Sequence, residues 1–142
     1  MTIGRIIADR HQDIVRCSPQ TRVSEAARLL ADRRIGAMPV VADGEVVGIF
    51  SERDLLYCMA RDGASALDSE VREVMTAPAI TVVPATTALE AATLMTQRRI
   101  RHLPVIEEGQ LVAFVSIGDI VKFRLEMVES EAAAMRDYIR TA

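Results

Sequence analysis

The sequence contains no tryptophan, and aromatic residues make up only 4% of its 142 positions. Half of the residues are nevertheless hydrophobic, so we predict an aliphatic core in which methionine fills the irregular gaps. Cysteine is also scarce, because Cys17 and Cys58 are the only two and lack the spacing of metal ligands. This argues against a disulfide framework, and we interpret both as reduced thiols of a cytoplasmic protein.

Strong charge and long apolar runs are absent as well. The formal net charge is -3, which argues against bulk attraction to nucleic acid or to anionic lipid. No apolar run reaches the roughly 18 residues of a membrane span, and Met1–Arg5 do not open the apolar stretch of a secretory signal. We therefore expect one domain or two tightly joined half-domains.

The most informative feature that is present is an internal repeat. Residues 19–54 align without a gap with residues 84–119, and 15 of the 36 aligned pairs are identical. A repeat has to be recognised first because it decides the fold. Two copies are too few for a solenoid, so we predict a pseudo-twofold pair in which equivalent residues of both copies meet. Such a junction is a natural place for a ligand.

Each copy is predicted to run strand, helix, strand, turn, strand, helix. In the first copy, two apolar runs flank Asp43-Gly44, which is a strong hairpin signal because glycine accepts the positive φ of a tight turn. In the second copy, Thr87 and Glu90 have capping-box spacing, whereas the first copy has Arg22 in place of the threonine. The other predicted elements are strands 13–17 and 80–83, a helix from 23, the linker 62–69, short lead-in helices 3–8 and 69–75, and helices that open at residues 54 and 119.

Each copy alone would expose one apolar face of a small sheet. Packing the two sheets together buries both faces, at roughly 25 cal/mol for each Å² of apolar area. We therefore predict an α/β (α+β) fold of two pseudo-symmetric repeats, each a small mixed β-sheet with two helices, packed sheet to sheet, with an extended C-terminal helix. The predicted boundaries are 1–68 for the first repeat, 69–124 for the second and 125–142 for the extension.

A polar motif follows the second hairpin strand in both copies. Ser51 and Asp54 in the first copy correspond to Ser116 and Asp119 in the second, and each pair opens a helix. One interpretation is structural, with serine as the helix cap and aspartate in the first turn. The other is functional, because a helix N-terminus suits a phosphate and a carboxylate can accept both hydroxyls of a ribose. Arg53 would add a charge-assisted bond to a phosphate.

The start of each hairpin is the second candidate region. It reads Gly36, Ala37, Met38, Pro39 in the first copy and Arg101, His102, Leu103, Pro104 in the second. Because proline has no N–H, we expect the strand edge to stay locally unpaired and to leave backbone groups free for a planar base. Arg101 and His102 have no cationic counterpart in the first copy. His102 is either an ordinary half-buried histidine or, beside Arg101, a phosphate contact.

The doubled pattern of proline-valine, acidic residue-glycine turn and serine three residues before aspartate resembles a tandem pair of CBS domains (the cystathionine-β-synthase module, also called a Bateman module). The likeness covers nearly the whole chain and is strong toward small stand-alone bacterial CBS-pair proteins. It implies that an adenosine nucleotide binds in clefts between the copies. AMP and ATP are the first candidates, and NAD or S-adenosylmethionine are further ones.

The resemblance also implies roles for individual residues. Asp54 and Asp119 would hold the ribose hydroxyls. The residues implied near phosphates are Ser51, Arg53, Ser116, Arg101 and His102. Those implied around the base are Gly36, Ala37, Met38, Pro39, Leu103 and Pro104, with the strands near Val15 and Ile80. Since Gly118 stands where the first copy has Arg53, the two sites should differ in affinity or ligand. No catalytic residue, metal ligand or catalytic cofactor is expected.

The last helix extends beyond its repeat. Its apolar residues alternate spacings of four and three, which is the a/d pattern of a heptad repeat. They are Val121, Leu125, Val128, Ala132, Met135 and Ile139. The helix either folds back on its own module or packs against another chain. We favour the second arrangement, in a homodimer.

The function that the resemblance implies is a regulatory module that senses energy or redox state through a nucleotide and acts on a partner enzyme or transporter. The alternative is a non-catalytic, dimerising scaffold with degenerate pockets. An enzyme is disfavoured because His11 lies in a poorly patterned stretch and His102 has no carboxylate nearby in sequence. Nucleic-acid binding is disfavoured because the arginine pairs 33–34 and 98–99 lack an aromatic platform.

Overall fold

The computed structural model describes residues 1–9 and 13–141. Its helices and strands are, in chain order, α1 (Ile3–Ile7), α2 (Val23–Arg33), β1 (Ala37–Ala42), β2 (Glu45–Ser51), α3 (Glu52–Asp62), α4 (Ala88–Arg98), β3 (His102–Glu107), β4 (Gln110–Ser116) and α5 (Ile117–Thr141). Two short 3₁₀ helices, Gly63–Asp68 and Val71–Glu73, lie between the copies. This is the α/β arrangement of two small sheets, covering helices and a C-terminal helix that the sequence predicts.

Each copy contains one antiparallel hairpin. Strand β1 pairs with β2 so that Ala37 lies opposite Ser51, and β3 pairs with β4 so that His102 lies opposite Ser116. The two hairpins therefore have the same register, and each brings the start of its first strand beside the serine that precedes a helix. The repeated site motif is assembled by this pairing.

The hairpin turns follow the sequence signal. Asp43 and Gly44 have φ values of 52° and 80°, and Glu108 and Gly109 have values of 50° and 75°. Positive φ at both central residues is the mirror-image turn whose twist matches that of the flanking strands. The predicted hairpins are confirmed, and only the second position of each turn is glycine.

The strands predicted at 13–17 and 80–83 are each reduced to one parallel bridge, from Cys17 to Val40 and from Val82 to Val105. The N–H of Cys17 donates to the carbonyl oxygen of Pro39 at 3.2 Å. Since Pro39 has no N–H to return, the pairing cannot extend further toward the N-terminus. Pairing on this edge therefore stops at the proline, as expected, although the carbonyl oxygen of Pro39 is used by Cys17.

The two helices of the repeated motif begin differently, as their sequences predict. The N–H of Thr87 donates to the carboxylate of Glu90 at 2.9 Å, and the N–H of Glu90 donates to the threonine hydroxyl at 3.0 Å. This capping box fixes the start of α4. Helix α2 has no side-chain cap at Arg22. Instead, the guanidinium of Arg22 donates to the carbonyl oxygen of Asp68 at 2.7 Å and ties the helix to the linker.

Two apolar cores form, one for each copy, and the connecting segments are exchanged between them. Ile3 and Ile6 of α1 lie in the second core, whereas Ala66 and Val71 of the 3₁₀ helices lie in the first. The linker predicted as irregular is thus helical in part and packs inward. The segment that leads into each copy helps to close the other one, which joins the copies into a pair.

Helix α5 is 25 residues and about 37 Å long. Ile120 is buried and Phe123 packs against the second core, but the C-terminal half extends away with mostly exposed side chains. Among residues 1–9 and 13–141, no helix is both long and apolar enough to cross a bilayer.

Candidate functional site

The first site motif is held by a capping box at the start of α3. The carboxylate of Asp54 accepts hydrogen bonds from the N–H and the hydroxyl of Ser51, both at 2.9 Å, and from the hydroxyl of Thr76 at 2.8 Å. Asp54 is only 9% exposed. The structural interpretation of this motif is thus realised: the carboxylate orders the helix start, and a donor from the inter-copy segment fixes its second oxygen.

The second site motif has the same local geometry. The N–H of Ser116 donates to the Asp119 carboxylate at 2.8 Å, and the N–H of Asp119 donates to the serine hydroxyl at 3.1 Å. Asp119 is half-buried rather than buried. The repeat equivalent of Thr76 is His11, which lies outside the described residues. The two aspartates therefore share their cap, while their exposure differs.

A cleft of about 690 Å³ opens between the copies beside the start of α3. The residues that line it are Gly36, Ala37, Ile49, Ser51, Glu52 and Arg53 of the first copy, Ile80, Arg99, Ile100, Arg101 and His102 of the second, and Thr76, Pro78 and Ala79 of the segment between them. We call it the first cleft. Asp54 lies against it through its partners Ser51 and Thr76.

The first cleft is bridged by two contacts between the copies. The guanidinium of Arg101 lies 3.1 Å from the carboxylate of Glu52, and both side chains are 61% exposed. The guanidinium of Arg53 donates to the carbonyl oxygen of Arg99 at 2.7 Å. Arg99 is the C-cap of α4 and has a left-handed φ of 54°. Exposed ion pairs contribute little to stability, so the main consequence is that two guanidinium groups lie at the mouth of the cleft.

A second cleft of about 580 Å³ lies on the other side of the junction. The residues that line it are Asp13, Ile14, Val15, Ile35 and Ala37 of the first copy and His102, Phe114, Ser116 and Asp119 of the second. Its helix start carries Ile117 and Gly118 where α3 carries Glu52 and Arg53. Since neither residue has a charged side chain, the pseudo-symmetry of the backbone does not extend to the charges.

His102 forms part of the wall of both clefts, as does its equivalent Ala37. Its ring stacks on Phe114, with 5.3 Å between ring centres and 12° between the planes. Burial, reinforced by the nearby guanidinium of Arg101, lowers the pKa of His102, while Asp119 and Glu52 act in the opposite direction. The lowered pKa favours the neutral imidazole at pH 7, and the ring borders both clefts.

The comparison with protein families agrees with this doubled architecture. The model of the CBS domain matches residues 5–61 and 71–126. The chain belongs to the CBS domain family. The CBS pair is 36% identical over 129 residues to the mitochondrial CBS domain-containing protein CBSX3 of Arabidopsis thaliana. That match covers 87% of this chain but 63% of the relative, so the chain spans less than two thirds of its length.

Solved structures show the same fold. A CBS-domain protein of Agrobacterium tumefaciens, ATU1752, superposes with a TM-score of 0.81 at 38% identity, covering 87% of this chain and 92% of that one. A structure of CBSX2 in complex with AMP superposes with a TM-score of 0.77 at 26% identity, covering 89% and 97%. The predicted membership in the family and the predicted fold are confirmed.

The CBS pair brings together most of the predicted site residues. Those on the first cleft are Gly36, Ala37, Ser51, Arg53, Ile80, Arg101 and His102, and those on the second are Val15, Ala37, His102, Ser116 and Asp119. The side chains of Met38, Pro39, Leu103 and Pro104 are fully buried instead. The carbonyl oxygens of the two prolines accept from Cys17 and Val82. Gly36, Ala37 and His102 of the same segments do line the clefts, and the predicted contact of this backbone with a base stays a prediction.

Among the cleft residues that the sequence did not predict, four make the contacts described above. Glu52 and Phe114 lie within or beside the repeated motifs, and Glu52 could have been found as the acidic partner for an otherwise unmatched Arg101. Thr76 and Arg99 carry no such signal, because a threonine in a linker and a carbonyl oxygen at a helix end have no distinctive pattern. Their roles depend on chain segments that meet only in the folded pair.

Thiol and metal chemistry receive no support from the described residues. Cys17 and Cys58 are both buried and free. Burial, with a smaller effect of Glu25, raises the pKa of Cys17 to about 11, which keeps its thiol protonated and unreactive. In the part of the chain that the structure describes, no group of three or more histidine, cysteine, aspartate or glutamate side chains is placed to hold a metal ion.

Proposed function

We propose that this CBS pair is a regulatory module that binds an adenosine nucleotide in the clefts between its copies and transmits occupancy to a partner. The observation that carries the proposal is the pair of clefts at the junction of the copies, each beside a serine-aspartate motif at a helix start. The AMP complex of CBSX2, a structural relative at 26% identity, supports the choice of ligand class. Two unpaired cysteines favour a reducing compartment such as the cytoplasm.

The two clefts are expected to favour different parts of a nucleotide. In the second cleft, the half-buried Asp119 lies on the wall and is in place for ribose hydroxyls. In the first cleft, the Thr76 hydroxyl already donates to Asp54 and leaves less acceptor capacity for ribose hydroxyls, whereas Arg53 and Arg101 offer charge to phosphates. We infer that the first cleft prefers the more highly phosphorylated nucleotide, such as ATP, and that the second accepts AMP or another adenosine ligand with less charge.

Transmission would begin at the contacts that bridge the first cleft. A phosphate that enters there competes with Glu52 for Arg101, because both are anions that the same guanidinium binds. Loss of the Glu52–Arg101 pair removes one link between the copies and permits a change in their relative angle. A ligand shifts such an equilibrium only by its difference in affinity for the two arrangements, and this pair supplies a physical basis for that difference.

The alternative function is a dimerising scaffold with degenerate pockets. One observation favours it: both carboxylate oxygens of Asp54 already have protein donors, so the first cleft needs no ligand to satisfy its buried charge. In either case, we propose that the molecule acts as a homodimer with the help of α5, and without catalysis.

Calorimetric titration with AMP, ATP, NAD and S-adenosylmethionine separates the two functions. Binding of at least one ligand, weakened about 10- to 100-fold by Asp119→Ala because a charged hydrogen-bond acceptor is lost, would support the regulatory module. Thr87→Ala is the matched control, since it removes a helix cap of α4 away from both clefts. If none of the four ligands binds to the wild-type protein, the scaffold is the better description.

A further inference from the structure

The apolar stripe of α5 is exposed on the side of the helix that faces away from the module. Leu125, Met135 and Ile139 are 65%, 64% and 70% exposed. On the opposite side, Ile120 is buried and Phe123 packs against the second core. In heptad terms, Ile120 and Phe123 occupy positions c and f, and the exposed stripe occupies a and d. The helix therefore docks by one face and presents an unpartnered seam on the other.

We propose that this seam pairs with the same seam of a second copy in a parallel, in-register, two-stranded coiled coil. The inference deepens the homodimer of the proposed function and rests on it. Positions a are Leu125, Ala132 and Ile139, and positions d are Val121, Val128 and Met135. Each module is attached to its helix at positions c and f, which lie on the outside of such a pair. The two modules therefore do not obstruct the pairing.

The charges beside the seam decide the orientation. Arg124 and Glu131 occupy position g, and Glu129 and Arg136 occupy position e. In a parallel pair, each g residue faces the e residue five positions further along the other helix. Arg124 then faces the partner's Glu129, and Glu131 faces the partner's Arg136. Both pairs are of opposite charge, and the twofold axis repeats each of them.

A contact within one helix shows that the e-position charges already share one side. The guanidinium of Arg136 lies 3.7 Å from the carboxylate of Glu129, with both side chains at least 60% exposed. An exposed ion pair of this kind contributes little to stability. Replacing it with ion pairs between the two helices of the dimer therefore costs little free energy. Both charges lie at position e, which flanks the seam, so they are available to a partner helix.

The antiparallel alternative places like charges together. In that arrangement e faces e and g faces g. With the whole stripe overlapping, Lys122 would face the partner's Arg136, while Glu129 and Glu131 would each face their own equivalents. A shift of one heptad in either direction pairs opposite charges. One direction places Met135 and Ile139 against residues 118 and 114, where the other module begins, and the other direction places Val121 and Leu125 beyond the end of the partner's α5. Only the parallel arrangement both buries the whole apolar stripe and places opposite charges beside it.

The stripe is short, and Ala132 at its central a position fills little space. We therefore expect a weak dimer that depends on concentration. A β-branched residue at position a favours two strands, so Ala132→Ile should strengthen the dimer in analytical ultracentrifugation by about 10-fold, as expected for a few buried methylene groups. If α5 instead packed on its own module, this substitution would leave the chain monomeric, and the proposal would be wrong.

Crosslinking of the full-length protein tests the orientation. In the parallel pair, residue 139 meets its own equivalent, so Ile139→Cys should form a disulfide-linked dimer under mild oxidation. Ser130→Cys at position f is the matched control and should not crosslink. In an antiparallel pair, Ile139 lies near the partner's Val121 instead. A dimer that resists crosslinking at 139 would therefore overturn the proposal, as would a monomer at every concentration.

Charge reversal gives an independent measurement. Glu131→Arg places like charges opposite Arg136 and should weaken the dimer, and the double variant Glu131→Arg/Arg136→Glu should restore it. Failure of the double variant to restore would contradict the parallel pairing. The ultracentrifugation, crosslinking and charge-reversal experiments use no nucleotide. Titration of the same variants with nucleotide measures ligand binding separately. A failed coiled coil is therefore distinguishable from a failed nucleotide site.

Discussion

Arg101 and Glu52 form an ion pair of 3.1 Å across the junction of the two copies, although 49 positions separate them in the chain. Each stands at the start of a structural element, Glu52 as the first residue of α3 and Arg101 just before β3. The pair therefore links the two elements that carry the repeated site motif. It also makes the two clefts chemically unequal, since the equivalent positions hold Gly36 and Ile117.

The Glu52–Arg101 pair predicts that removing the charge of Glu52 strengthens nucleotide binding in the first cleft. Glu52→Gln should raise the affinity of the first cleft for ATP several-fold, because Arg101 no longer has a competing anion. The free energy of unfolding should change by less than about 0.5 kcal/mol, as for other exposed pairs. Titration calorimetry and thermal denaturation measure the two effects. Asp62→Asn, which disrupts the exposed Arg61–Asp62 pair, is the matched control and should alter neither. Weaker ATP binding in Glu52→Gln would contradict the proposed competition.

Thr76 is expected to stabilise the buried carboxylate of Asp54. Thr76→Val keeps the shape of the side chain but removes the donor at 2.8 Å. Because this bond reaches a charged group, we expect a loss of about 1.5–3 kcal/mol in the free energy of unfolding, measured by urea denaturation. Thr96→Val removes an exposed hydroxyl that donates to the carbonyl oxygen of Ala92, so it should cost much less. Equal losses for the two variants would show that Asp54 does not depend on Thr76.

Gly48 marks a close approach between β2 and the inter-copy segment. A Cβ added there would lie 2.9 Å from the carbonyl oxygen of Thr76 and 2.7 Å from the sulfur of Met75. Backbone cannot move aside as a side chain can, so Gly48→Ala should destabilise the protein by about 1–3 kcal/mol. Gly118→Ala meets only the Ser116 hydroxyl at 3.5 Å and serves as the control. A melting temperature unchanged by Gly48→Ala would contradict the close packing.

His102 should make stability depend on pH. Burial and Arg101 lower its pKa below the ordinary 6.5, so the unfolded chain binds a proton more readily than the folded one. The stabilisation is present above about pH 6.5 and decreases as the pH falls through the interval between the unfolded and folded pKa values. His102→Asn should flatten this part of a denaturation profile measured from pH 8 to pH 5. A profile identical to that of the wild type would show that His102 does not titrate in this way.

Local signals predicted the elements of this fold well. The Asp43-Gly44 turn and the Thr87–Glu90 capping box each depend on residues within four positions of one another, and both are present as predicted. The duplication itself required only an alignment of the chain with itself. Residues at the start of each helix were identified for the same reason, because a helix N-terminus is defined by its own first turn.

What the sequence alone determined is therefore the repeat, its hairpins and caps, and membership in the CBS domain family. The tertiary structure decided which segments the two copies exchange, why Asp54 is buried against Thr76 while Asp119 faces a cleft, and which arginine meets Glu52. The physical reason is the separation along the chain of the residues that interact. A turn or a cap is specified by neighbouring residues, whereas burial and ion pairing depend on segments tens of positions apart that come together only when both cores close.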